Sequence, residues 1–136
     1  MRLWHQSLIK HLPRQQLLGQ HRECCALRGK GWGRNHSVVN YVFKYNPARL
    51  VAYHYLIMRE MRNRSYSPSV DWLDVDYRGT ALGVEPLWCD LSMMISFLNA
   101  VDETDYMIFP EHNDEYLQEC IDNLKQKGID ISDKLS

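Results

Sequence analysis

Three stretches of this sequence repeat apolar residues at helical spacing between a start signal and a stop signal, and that pattern leaves packed helices as the main way to fold. From Pro13 to Leu27, proline suits the first helical position, Leu17, Leu18, Cys24 and Cys25 form a stripe, and Gly29 ends the run. Gly19, Glu23 and Ala26 lie on the other side of that helix. A second helix starts at Asn46-Pro47, a cap followed by a first-turn proline, and runs to about Arg62 with Leu50, Val51, His54, Ile57, Met58 and Met61 on one face. Its opposite face carries Arg59, Arg62 and Asn63. A third, from Asn113 to Lys127, buries Tyr116, Leu117, Cys120, Ile121 and Leu124 and stops at Gly128. Residues 88–101 offer a fourth through Met93, Met94, Phe97 and Leu98, while Ser65 to Glu85, rich in Ser, Asp and Gly, reads as a long connection. With 136 residues to share one core, the expectation is a compact all-α single domain over 1–136, of three or four helices with long connecting loops.

Apolar runs are short, Met93-Met94-Ile95 being broken at once by Ser96, and polar residues punctuate the first dozen positions, so neither a membrane span nor a signal-peptide core is expected. That favours a cytoplasmic protein, and with Cys24 and Cys25 adjacent and Cys89 and Cys120 solitary the thiols are expected to be reduced; a monomer is expected.

The net charge of −1 hides a division along the chain. Residues 1–70 hold twelve Lys/Arg against Glu23 and Glu60, a balance of +10, whereas residues 71–136 hold four against fifteen Asp/Glu, a balance of −11. A basic half of that kind builds a surface for a polyanion, most simply nucleic acid, unless the two halves neutralise each other on folding.

Within the basic half Glu23 is the residue in need of a reason, because a carboxylate repels phosphates. It sits one turn from Gly19, and glycine inside a helix costs about 1 kcal/mol relative to alanine, so a close approach to the backbone is implied there. The plainer reading is tight helix packing, with Glu23 neutralising Arg22 or Arg28. The loop Arg28-Gly-Lys-Gly-Trp-Gly-Arg34 interleaves cations with glycines around Trp32. Its Arg28, Lys30 and Arg34 suit phosphates and Trp32 suits stacking on a base, unless the tryptophan folds back on the core. His54 reads as a satisfied core histidine. His21, Cys24 and Cys25 lack the spacing of a zinc site, and Asp71, Asp74 and Asp76 lack the glycine and glutamate of a calcium loop, so no metal or cofactor is expected.

MRLW at the start, followed by LPRQQLLGQHRE ending in Arg22-Glu23, resembles the pyrimidine-dimer DNA glycosylase/lyase family. The resemblance covers roughly the first half, through a following helix from Arg49 to Tyr66. It implies Met1 at the nucleophile position, Arg2 and Arg22 as DNA-binding arginines, and Glu23 as the catalytic glutamate. Arg2 is too large to favour removal of Met1, so Met1 itself would supply the amine. The family's further arginine is out of register here, with Arg28 nearest, and its aromatic, basic tail is replaced by an acidic stretch ending in Asp133-Lys134-Leu135-Ser136. An α-amine titrates near pH 7.7–8.0, roughly, leaving a nucleophilic fraction at neutral pH. The implied activity is excision of damaged pyrimidines from double-stranded DNA through a Schiff base to that amine, then β-elimination. A non-catalytic nucleic-acid-binding domain would use the same basic half.

Overall fold

Caps and prolines place the helix starts. The computed structural model describes residues 2–135. α1 spans Arg14–Arg28 behind Pro13, and the Gly29 N–H closes it on the carbonyls of Cys25 and Ala26. α2, Pro47–Asn63, begins where the Asn46 side chain accepts from the Ala48 N–H. α3, Leu91–Thr104, is capped by Asp90 on the Met93 N–H and ends at Asp105 in the left-handed region. α4, Asp114–Gln126, is capped by Asn113 on the Tyr116 N–H, with Asp114 and Glu115 in the first turn, where the helix dipole favours them. Single 3₁₀ turns occupy Gln6–His11, Asn40–Lys44, Val70–Leu73 and Ser132–Lys134. Among the described residues no strand forms beyond one isolated bridge, Tyr77 to Val84, so the all-α expectation with long loops holds.

α2 is the central element because it is apolar almost all round. Ala48, Leu50, Val51, Ala52, Tyr53, His54, Leu56, Ile57, Met58 and Met61 are all buried, and each large aliphatic contributes on the order of 1.5–3 kcal/mol. α1, α3 and the Gln6–His11 turn pack around it, while α4 adds Cys120, Ile121 and Leu124 to the same core. No helix among the described residues is long and apolar enough to cross a membrane.

One expectation needs correction and one gains detail. The buried face of α1 is Leu17, Gln20, Cys24, Leu27 and Arg28, whereas Leu18 and Cys25 are only half-buried. The helix is rolled so that a glutamine and an arginine enter the core, which an apolar stripe alone cannot reveal. The connection from Ser65 to Glu85 is also more ordered than its composition suggests. Asp74 accepts from the Asp76 N–H, and the Asp76 carboxylate accepts from the Leu87 and Cys89 N–H groups. These aspartates act as turn caps.

Candidate active site

Glu23 stands at the margin of the buried face of α1, beside a cleft of about 370 Å³. Gly19, Gln16 and Gln20 of α1 form one wall with it; Arg2, Trp4 and Val38 form a second; Asn123 and Lys127, at the end of α4, form the third. A Cβ at Gly19 would meet only the Arg22 Nη2 at 3.7 Å, an ordinary contact, so packing does not demand glycine there and its absent side chain leaves room beside the carboxylate. Partial burial raises the Glu23 pKa, while the charges of His36 and Arg22 pull it down. Its Oε2 is buried without a hydrogen-bond partner, and so is Nη1 of Arg2. Buried polar atoms are nearly always satisfied, so the Glu23 oxygen, which unlike the equally unbonded Arg28 Nε and Glu111 Oε1 borders an open cleft, is placed to meet something that enters it.

The opposite flank of α1 is bonded internally. Arg28 is fully buried. Its Nη1 donates to the Trp72 carbonyl at 3.0 Å and lies 3.1 Å from His54 Nδ1; its Nη2 donates to the carbonyls of Asp74 and Tyr77 at 2.7 and 2.9 Å. With a guanidinium donating to Nδ1, neutral His54 carries its proton on Nε2 and donates it to His21 Nδ1, 2.8 Å away. Burial, then the Arg28 and His21 charges, hold His54 well below its ordinary pKa, and burial likewise lowers His21. The Cys25 Sγ lies 3.8 Å from His21 Nε2, and burial pushes its thiol up to about 11. His21, Cys25 and His54 are thus the cluster with metal-ligand chemistry among the described residues, yet the two facing ring nitrogens are occupied by a shared proton. His54 is the satisfied core histidine that the sequence suggests.

The expected DNA-contacting residues divide accordingly. Arg22, Lys30 and Arg34 are exposed and form no ion pair with a described acid, although Arg34 Nε donates to the Lys30 carbonyl. Arg28 must be corrected: it is a buried strut between α1, α2 and residues 72–77, out of reach of a phosphate. Trp32 is corrected too, since its ring meets Phe43 and Trp88 edge-on at 5.0 and 5.4 Å and packs against the core. The loop's glycines serve this fold-back. A Cβ at Gly31 would lie 2.7 Å from the Ala26 carbonyl oxygen, and Gly33 has φ of 76°. Arg2 lies over Trp4, with Nη1 3.9 Å from Glu119 of α4, inside the cleft wall. Met1 falls outside the described residues.

The family model for pyrimidine dimer DNA glycosylase matches residues 1–74, more than half of the chain, including all of α1 and α2. The chain belongs to the pyrimidine dimer DNA glycosylase family. Neither the curated proteins nor the solved structures yield a match. Membership makes this chain a DNA-repair glycosylase that binds damaged DNA, and it attaches that role to the half that holds Glu23 and the exposed cations.

Several cleft residues of this glycosylase escape a sequence reading. Gln20 could have been noticed as a polar residue at core spacing between Leu17 and Cys24. Trp4 and Val38 carry no local signal. Asn123 and Lys127 lie in the acidic half, beyond the family match, and only the packing of α4 against the N-terminal segment brings them to Glu23.

Proposed function

We propose that this chain is a bifunctional DNA glycosylase and abasic-site lyase acting on pyrimidine lesions, with the α-amine of Met1 as nucleophile and Glu23 as the proton-handling carboxylate. The supporting observation is the Glu23 carboxylate itself, half-buried beside an open cleft with one oxygen unmet, close in sequence to the exposed Arg22, Lys30 and Arg34, which form no ion pair with a described acid. The amine nitrogen attacks the sugar C1′, and the C1′–N bond breaks with its electron pair leaving on the base, which takes up a proton. Opening of the sugar ring gives an iminium between C1′ and the amine nitrogen. Loss of a C2′ proton then expels the 3′ phosphate by cleavage of the C3′–O bond, and hydrolysis returns the free amine. Glu23, with its pKa raised by burial, stabilises the cationic intermediate and carries these protons. Arg22, Lys30 and Arg34 supply sequence-independent phosphate contacts.

The test is borohydride reduction of the protein, free at Met1, with an abasic duplex in EDTA. A covalent adduct whose sugar remnant maps to Met1, together with nicking, is expected. Cleavage that requires metal and leaves no adduct would refute the reading, and an adduct on Lys127, the lysine that lines the cleft, would move the nucleophile there.

A further inference from the structure

Residues 2–4 precede the first helical turn and have no secondary structure to satisfy their backbone, yet three helices reach in to hold it. Gln20 of α1 donates from Nε2 to the Arg2 carbonyl at 2.9 Å and accepts the Trp4 N–H on Oε1 at 2.6 Å. The Tyr53 hydroxyl of α2 lies 2.6 Å from the Trp4 carbonyl and 2.9 Å from the same Gln20 oxygen. The Tyr116 hydroxyl of α4 donates to the Leu3 carbonyl at 2.5 Å. Four of the five polar backbone groups from the Arg2 carbonyl to the Trp4 carbonyl are therefore fixed by side chains from three separate elements.

Hydrophobic anchoring does not require this. Leu3 is fully buried and Trp4 nearly so, and their burial alone would keep the segment against the core. Apolar burial is non-directional, however, and tolerates sliding, whereas hydrogen bonds fix position along and around the segment. Gln20 and Tyr53 are themselves buried, and a buried amide is costly unless its partners are in place, so the arrangement exchanges a simpler core for a fixed register. Gln20 also precedes Glu23 by three residues, about 4.5 Å of helix rise, so one turn of α1 sets both the segment and the carboxylate.

We infer that Gln20, Tyr53 and Tyr116 are positioning residues that hold Arg2–Trp4 in register with Glu23, and through that segment place the amine of the residue before Arg2 for attack. Consecutive Cα atoms are only about 3.8 Å apart, so little slack separates the clamp from the amine. The inference rests on the amine mechanism proposed above.

The experiment compares the unsubstituted chain with Gln20→Met, Tyr53→Phe and Tyr116→Phe, measuring single-turnover trapping on a saturating abasic duplex, duplex affinity, and Tm. Misplacing a reacting group by about 1 Å costs on the order of 100-fold. Gln20→Met and Tyr53→Phe are expected to slow trapping per folded molecule by about 10- to 100-fold with affinity changed less than about two-fold, a loss in kcat without one in KM. Tyr116→Phe, which loses one bond at a half-buried site, keeps the comparison open should a core variant fold poorly, and a loss of about three- to ten-fold is expected. A lower Tm with an unchanged trapping rate per folded molecule in all three would mean that the residues serve stability only, and would overturn the inference. If the unsubstituted chain itself gives no adduct, the amine mechanism fails and the clamp's catalytic role fails with it; equal rates across parent and variants sink the clamp alone.

Discussion

On one flank of α1, His21, Cys25 and Arg28 meet α2 and the 72–77 segment in a closed set of contacts that leaves only Arg28 Nε without a hydrogen bond; on the other, Glu23 borders an open cleft in which its Oε2 has no hydrogen bond and the Arg2 Nη1 has only the Glu119 carboxylate 3.9 Å away. Both flanks carry ionisable groups within a few residues of each other, so residue type does not distinguish structure from chemistry here. What distinguishes them is whether the unbonded groups border an open cleft. The bonded flank reads as a joint that fixes α1, and the unbonded one as the place where a substrate finishes the hydrogen-bond count.

The contrast is sharpest at Glu23. Glu23→Gln is expected to reduce base release and strand cleavage by about 100-fold or more, as loss of a proton-handling group does, with DNA affinity equal or higher because a charge that repels phosphate is gone. The folded-state pKa of this carboxyl is raised, so ionised Glu23 works against folding at neutral pH, and the variant should melt at the same temperature or slightly higher. Unfolding of Glu23→Gln would break the comparison by making Glu23 a structural residue.

Arg28→Met is expected to do the reverse. It strands four acceptors, His54 Nδ1 and the carbonyls of Trp72, Asp74 and Tyr77, and should cost about 3 kcal/mol or more in urea unfolding. The molecules that remain folded should excise at close to the parental rate. A large loss of DNA affinity with stability intact would instead put Arg28 on the DNA.

A smaller, graded effect comes from pH. His54 is buried neutral on the bonded flank, and His112, stacked on His5 and Tyr116 behind the N-terminal segment, is held down to about 3 by burial and by the His5 charge. Both sit below the ordinary 6.5. Their contribution is therefore fully present above pH 6.5 and is lost as pH falls below it, for His112 down to about 3, because the unfolded chain takes up protons that the folded one excludes. Each histidine adds a slope of about 1.4 kcal/mol per pH unit within that window. Urea midpoints measured between pH 7 and 4 should show the decline, and His54→Gln should make it shallower; a profile unchanged by that substitution would mean His54 is not protonated on unfolding in this range.

Helix positions and the all-α class were legible because they depend on local signals: Pro13, Asn46-Pro47, Asn113 and the glycines that follow. Glu23 was legible as a carboxylate out of place among cations. Arg28 and Trp32 misled for one physical reason: side chains long enough to reach solvent can equally turn inward when backbone carbonyls or aromatic edges lie within reach. In a linear reading the carbonyls of residues 72–77 and the ring of Trp88 are invisible partners. The α4 wall of the cleft, with Asn123 and Lys127, depends on contacts between the two ends of the chain, and no local pattern encodes those.

The hydroxyl of Tyr116 and the carbonyl of Leu3 that it holds are 113 residues apart. At about 5–20 residues per second, roughly 6–23 s of synthesis separate them, so Leu3 is locked well after it has been made. Until α4 has been made, the N-terminal segment lacks its third grip and the cleft lacks a wall. Assembly of the cleft thereby waits on α4, and a chain that stops short of it, although it already contains every residue matched by the family, holds Arg2–Trp4 against Glu23 with one grip missing.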